Sequence, residues 1–287
     1  MSERQLDFFS DIDVGVEHTV PQDTSRAPVS SESMDDESLI AAIPDSSLAD
    51  ACNLAAEAGR RRLAAAVPAL AALCRRFAGF GARRKVFEQA VAIEALAMIG
   101  GRDAADALSE MIERSVVQGP TMQIAASAAA RLGSSLSSDA LRRLLRDDEP
   151  SIRADACRCA RVLPELISIL IDLLDDLDRR VSRSAALALG RMGRIEARPI
   201  IKCLLWSAPS EDVIEAASSI ADEECAVLLG RIARSASVLA EAALIGLENA
   251  DHARAVAIVT GIRRLRLPPQ SSDSDRAHDS PLQQSSS

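Results

Sequence analysis

Few residues in this chain have the type and spacing needed for bond-making chemistry. Histidines stand at His18, His252 and His278. A metal centre or an acid–base pair built on imidazole needs its groups close together, and two of these three lie near the chain ends. Cys157-Arg-Cys159 resembles half of a metal-binding pair. Residues two apart on a helix point to nearly opposite sides, however, and no second Cys or His pair follows, so packing in a core is the expected role. Acids gather at Asp147-Asp148-Glu149, Asp175-Asp176 and Asp222-Glu223-Glu224, between apolar runs, where carboxylates cap helix N-termini. Phosphate-cradling glycine loops, a His-Glu-x-x-His pattern and a nucleophile elbow are missing from the sequence. The chain is expected to be non-enzymatic, with no cofactor and no metal.

Binding is better represented. Basic residues recur about once per thirty positions: Arg75-Arg76, Arg114, Arg142-Arg143 with Arg146, Arg198 with Lys202, Arg231 with Arg234, and Arg263-Arg264 with Arg266. Asp172, Asp175 and Asp176 interrupt the series. Guanidinium forks at such positions suit carboxylate or phosphate partners. The plain alternative is a solvated polar face, which every half-buried helix requires. A further option has the acidic segment 32–37 folding back over this stripe.

The second binding feature is Gln5-Leu6-Asp7-Phe8-Phe9, in a stretch whose other large apolar side chains before Leu39 are scattered singly, at Ile12, four valines and Met34. It resembles the pentapeptide by which bacterial polymerases and repair proteins dock on the β sliding clamp, with Phe8 where that motif has Leu. The resemblance implies that Gln5 hydrogen-bonds in a small pocket while Leu6 and Phe9 fill an apolar one.

The elements that would position these residues are helices. Of 287 residues, 48% are hydrophobic but only 2% aromatic, with one Trp and no Tyr. Ala and Leu dominate, which favours closely packed helices over sheets. Two segments repeat at an offset of 29, Leu144-Leu145-Arg-Asp-Asp-Glu-Pro-Ser-Ile152-Arg153 and Leu173-Leu174-Asp-Asp-Leu-Asp-Arg-Arg-Val181-Ser182. Helix-ending signals at Ile99-Gly100, Leu132-Gly133, Leu163-Pro164, Met192-Gly193 and Ala221-Asp222 are spaced by 33, 31, 29 and 29. Prolines at 68, 164 and 199 fit the first turn of following helices. A unit of this size cannot bury its own apolar face, so neighbours must stack, with Ala95, Ala129, Ala185 and Ala217 allowing close approach.

Asp148-Glu149-Pro150-Ser151-Ile152-Arg153, an acid and a proline ahead of an apolar-Arg pair, resembles the HEAT-repeat family, in particular the short bacterial type also found in phycobilin lyases. The resemblance covers about 46–267. It implies an all-α solenoid of six to seven helix pairs whose second helices line the concave side. It leaves function open, because such arrays serve as scaffolds, adaptors, nucleic-acid binders and occasionally enzymes. Diiron arrays resembling deoxyhypusine hydroxylase need several His-Glu dyads, which three scattered imidazoles cannot supply. Arrays resembling alkylpurine DNA glycosylases need aromatics in a basic groove, and these are lacking. Bilin attachment rests on the shared repeat type alone.

Charge is divided along the chain. Residues 1–45 hold eleven of the 42 acids and two of the 33 bases; residues 268–287 hold three acids and one base. The middle therefore carries +2, too little for non-specific duplex binding. Both end segments are expected to be disordered, with Leu39–Ile43 forming a short helix that caps the first repeat. No apolar run approaches the roughly 18 residues that cross a bilayer, and no secretory leader is evident, so a cytoplasmic location without a membrane partner is expected. The six cysteines read as buried thiols in a reducing compartment. The leading functional reading is a scaffold or adaptor for a protein partner. The alternatives are a replication or repair factor docked on the clamp with weak nucleic-acid contact and, more remotely, a bilin lyase.

Overall fold

The computed structural model describes residues 31–160 and 163–266. Among them all regular structure is helical, with fifteen α-helices and no strand. Helix α1 is Asp36–Ala42. Seven consecutive pairs follow: α2 (Leu48–Arg60) and α3 (Val67–Arg76), α4 (Phe87–Ile99) and α5 (Gly101–Glu113), α6 (Pro120–Leu132) and α7 (Ser138–Leu145), α8 (Pro150–Cys159) and α9 (Ile167–Asp172), α10 (Arg179–Arg191) and α11 (Arg198–Ser207), α12 (Glu211–Ile220) and α13 (Glu223–Ala233), and α14 (Ala240–Asn249) and α15 (Ala253–Arg266). The first helices pack on one another in unbroken order from α2 to α14, and each second helix from α3 to α13 also lies against the first helix that follows it. The result is the layered α-solenoid that the repeat spacing implies.

Local sequence explains the boundaries. Gly133 closes α6 in the left-handed region, and Gly100, at φ +73, separates α4 from α5. Asp222 caps α13 by accepting from the Cys225 amide, Asp178 caps α10, and Ser137 caps α7. The acid clusters thus work as N-caps and turn formers. One boundary differs from expectation. Helix α8 ends at Cys159, short of Leu163-Pro164; Leu163 is extended, as the residue before a proline prefers, and Pro164 opens a 3-10 turn ahead of α9.

Close packing within the first-helix layer depends on small residues. A Cβ added at Gly59 would come within 2.8 Å of Ala95 Cα, and one added at Gly190 within 2.7 Å of Ala216 Cβ. Ala129, Ala185 and Ala217 are also buried in this layer. One core runs the length of the array, from Leu39 and Ile43 to Ile258 and Ile262.

At the N-terminal end the short capping helix expected over Leu39–Ile43 is present as α1, which starts three residues earlier within the stretch 1–45 otherwise expected to be a disordered tail. It is ordered because Leu39 and Ile43 are fully buried against the first pair and because Arg61 reaches back to it. The Arg61 guanidinium donates to the carbonyls of Ser31, Glu32 and Met34 and to the Asp36 carboxylate. Segment 32–37 therefore does fold back on the array, but onto Arg61 at the end of α2 and not over the second-helix stripe. Residues 1–30 and 267–287, on which the rest of the tail expectation falls, lie outside the described residues.

Candidate functional site

The second-helix basic residues are where the spacing placed them, and most engage the array itself. Arg143 donates to the Ile112 carbonyl at 2.8 Å, and Arg76 donates to the Ser46 carbonyl at 2.7 Å. Arg114 pairs with Glu110, Arg142 with Asp139, Arg198 with Asp222, Lys202 with Glu224, and Arg263 with Glu248. Arg231 lies over the Trp206 ring, 4.0 Å from its centroid. Arg75, Arg146, Arg234 and Arg264 are exposed and form no ion pair among the described residues. Nearly all of these residues sit in the last turn of a helix or just past it, where the unsatisfied carbonyls and the helix dipole favour cations. That local requirement accounts for their period.

A groove of about 550 Å³ opens on the other layer, across first helices α6, α8, α10 and α12. Arg158, Arg180, Arg183 and Arg191 line it together with Asp155 and Asp212, over a floor that includes Ala130, Ala154 and Ser184. Three of the arginines are oriented by carboxylates: Arg158 by Asp155 at 3.0 Å, Arg180 by Asp178 at 2.8 Å, and Arg191 by Asp212 at 2.7 Å and Glu215 at 2.9 Å. Arg183 is exposed and has no ion pair among the described residues. The Arg180 hydrogen bond holds the Asp178 carboxyl down at about 2. Burial pushes the Asp155 carboxyl above its ordinary value, against the pull of Arg158.

At α12 the surface changes sign. A shallower cleft of about 360 Å³ between α12 and α14 presents Glu211, Glu215 and Ile245. The first-helix face thus offers guanidinium groups in the middle of the array and carboxylates toward its C-terminal end. Such a face can bind an extended chain by charge and shape. Sequence reasoning missed it by reading basic residues only on second helices. The signal was present in Arg180, Arg183, Leu187 and Arg191, whose three- and four-residue spacing puts them on one helix face.

The candidate reactive groups have structural roles or lie elsewhere. His252 Nδ1 accepts from the Arg254 amide at 3.1 Å and so caps the start of α15. Cys157 and Cys159 are both buried, and burial pushes the Cys157 thiol up to about 12. Among the described residues, no three His, Cys, Asp or Glu side chains are grouped to hold a metal. No described helix is long and apolar enough to cross a membrane. Gln5, Leu6, Asp7, Phe8, Phe9, His18 and His278 fall outside the described residues.

Comparison with known proteins supports the architecture. No family profile matches the chain, and no curated protein matches it in sequence. Among solved structures, the fold is similar to that in the complex of CpcE and CpcF of phycocyanin lyase from Nostoc sp. PCC7120, with a TM-score of 0.50 and 17% identity over 88% of this chain and 100% of that one. YibA of Escherichia coli matches with a TM-score of 0.42 and 13% identity, over 76% of this chain and 93% of that one. The protein has a HEAT-like helical-repeat fold. At these identities the likeness is one of fold.

Proposed function

We propose that the protein is a non-catalytic adaptor that grips an acidic stretch of a partner protein in the first-helix groove. The observation that carries this reading is the row Arg158, Arg180, Arg183 and Arg191, spread over two consecutive first helices, with Arg183 lacking a counter-charge among the described residues. A groove crossing four helices favours an extended ligand, and the change to Glu211 and Glu215 beyond it sets a direction for one whose own charge changes sign. The lyase neighbour is a subunit complex, in keeping with a partner-binding role for this fold, and the same likeness keeps a bilin lyase as the alternative reading. Gln5–Phe9 is a second handle proposed on sequence grounds alone.

Affinity capture from the native host separates these handles. Full-length protein, an Arg180→Glu/Arg183→Glu variant and a chain lacking residues 1–12 are compared. A partner retained by the truncated chain and lost by the groove variant is the expected result. A partner that survives the double charge reversal overturns the groove reading.

A further inference from the structure

The turn between α3 and α4 carries the most one-sided chemistry in the described chain. From Ala58 to Phe87 there is no acid; Arg60 and Arg61 pair with Glu57 just before this stretch, and Arg62, Arg75, Arg76, Arg83, Arg84 and Lys85 supply six further cations. Three of the five phenylalanines are here as well, at Phe77, Phe80 and Phe87. Phe80 and Phe87 are 60% and 65% exposed. Arg75, Arg83 and Arg84 are exposed and their side chains form no ion pair or hydrogen bond among the described residues, while the Lys85 ammonium lies 5.6 Å from the centroid of the Phe87 ring. The end of α3 accounts for Arg75 and Arg76, but neither the fold nor the groove accounts for Phe80, Arg83, Arg84 and Lys85, because exposed rings cost solvation and unpaired cations repel one another.

The turn is firmly seated despite its exposure. Gly119, at φ +54, approaches so closely that an added Cβ would lie within 2.8 Å of the Gly81 and Ala82 carbonyl oxygens. The Val86 amide donates to Thr121 Oγ1 at 3.1 Å. Buried Gln89 donates to the carbonyls of Cys74 and Val116. Phe80 meets Phe77 edge-on at 6.5 Å and is flanked by Gly79 and Gly81; around Gly79 the space is open.

We infer that this turn is a peripheral docking site for an anionic bilayer surface, with Phe80 entering the interface and Arg75, Arg83, Arg84 and Lys85 meeting lipid headgroups. A protruding ring girdled by unpaired cations matches a flat surface that is anionic outside and apolar beneath. A single-stranded nucleic acid would be served better by a groove that follows its backbone and by successive free ring faces. Neither the groove nor the cleft described above is lined by residues 75–87, and Phe77 is half-buried. The absence of a spanning helix bears on crossing a membrane and not on resting against one.

Co-sedimentation of the full chain with vesicles tests the inference. Vesicles of phosphatidylcholine with about a third phosphatidylserine should retain the protein, neutral phosphatidylcholine vesicles should not, and added salt should weaken retention. Each cation removed should cost roughly five-fold in partition, so Arg83→Gln/Arg84→Gln should lose on the order of 25-fold. Phe80→Ala should lose roughly ten-fold or more. These positions are exposed, and unchanged melting temperatures would show that the variants fold. In a Trp206→Phe background, emission from Phe80→Trp should shift to the blue on adding anionic vesicles. Failure to bind anionic vesicles, equal binding to neutral ones, or partition unaffected by the variants overturns the inference. Binding to a single-stranded oligonucleotide without vesicle binding also overturns it and assigns the turn to nucleic acid.

Discussion

Arg153 and Asp176 are joined by two side-by-side hydrogen bonds across a repeat junction, Nε to Oδ2 at 2.9 Å and Nη2 to Oδ1 at 3.1 Å. The same guanidinium donates to the Asp147 and Asp148 carbonyls, so one side chain ties the turn before α8 to the turn before α10. Both partners are largely buried. Arg153→Ala leaves a buried carboxylate and two carbonyls without their donor and should cost about 3 kcal/mol in chemical denaturation. Arg153→Lys keeps the charge but loses the fork, and should recover only part of that. A loss below about 0.5 kcal/mol for the alanine variant would show that the junction does not depend on this pair.

Acid should loosen the array for a related reason. Hydrogen bonds from Arg60 and Arg61 hold Glu57 at about 2, Arg180 holds Asp178 at about 2, and Arg153 holds Asp176 below the usual carboxylate range. Each carboxyl binds its proton more weakly folded than unfolded. Their stabilisation is therefore complete above the ordinary values of 3.8 and 4.5 and is lost as pH falls toward about 2. Melting temperature measured from pH 6 to pH 2 should fall through this window, and Asp176→Asn should flatten part of the slope. A flat profile would count against these ion pairs.

Two glycines should respond in opposite directions to the same substitution. Gly190→Ala forces a methyl against Ala216 in the tightly packed first-helix layer and should destabilise by about 1–3 kcal/mol. Gly261 lies in α15 with open space around it, so Gly261→Ala should stabilise by up to about 1 kcal/mol. Thermal melts of the two variants that moved the same way would contradict the packing described.

Thiol chemistry should be confined to one position at first. Cys203 is exposed, whereas Cys74, Cys157 and Cys225 are buried and their thiols are pushed up to about 12. Brief alkylation under native conditions, resolved by peptide mass, should label Cys203 well ahead of those three. Equal labelling would mean that the core opens readily.

The N-terminal peptide has its own test. If Gln5–Phe9 acts as its resemblance implies, a synthetic segment 1–15 binds purified sliding clamp and Phe9→Ala abolishes the binding. No binding at high micromolar peptide would end that reading and leave the groove proposal untouched.

Features set by nearby residues were legible in the sequence. Gly133, Asp222 and Pro199 mark helix ends through their own backbone or side-chain chemistry, so the repeat and its helical class could be read directly. Features set by distant partners were not. A short helix over Leu39–Ile43 was expected, but the tie that orders Ser31 to Asp36 comes from Arg61, some thirty residues away, and no local pattern announces it. The second-helix cations lie mostly at helix ends, so their period reflects those ends and carries no statement about a ligand. The groove needed Arg158 brought beside Arg180 and Arg183, a neighbourhood that only stacking creates.

Arg61 and α1 also fix where the protein can safely be shortened. A stack of repeats loses cooperativity from whichever end is left raw, since each unit leans only on its neighbours. Trimming to residue 46, as charge and composition would recommend, would bare the surface that Leu39 and Ile43 cover and leave a guanidinium without four of its acceptors. A shortened chain that begins before Ser31 keeps that end closed, and unravelling would then have to start elsewhere.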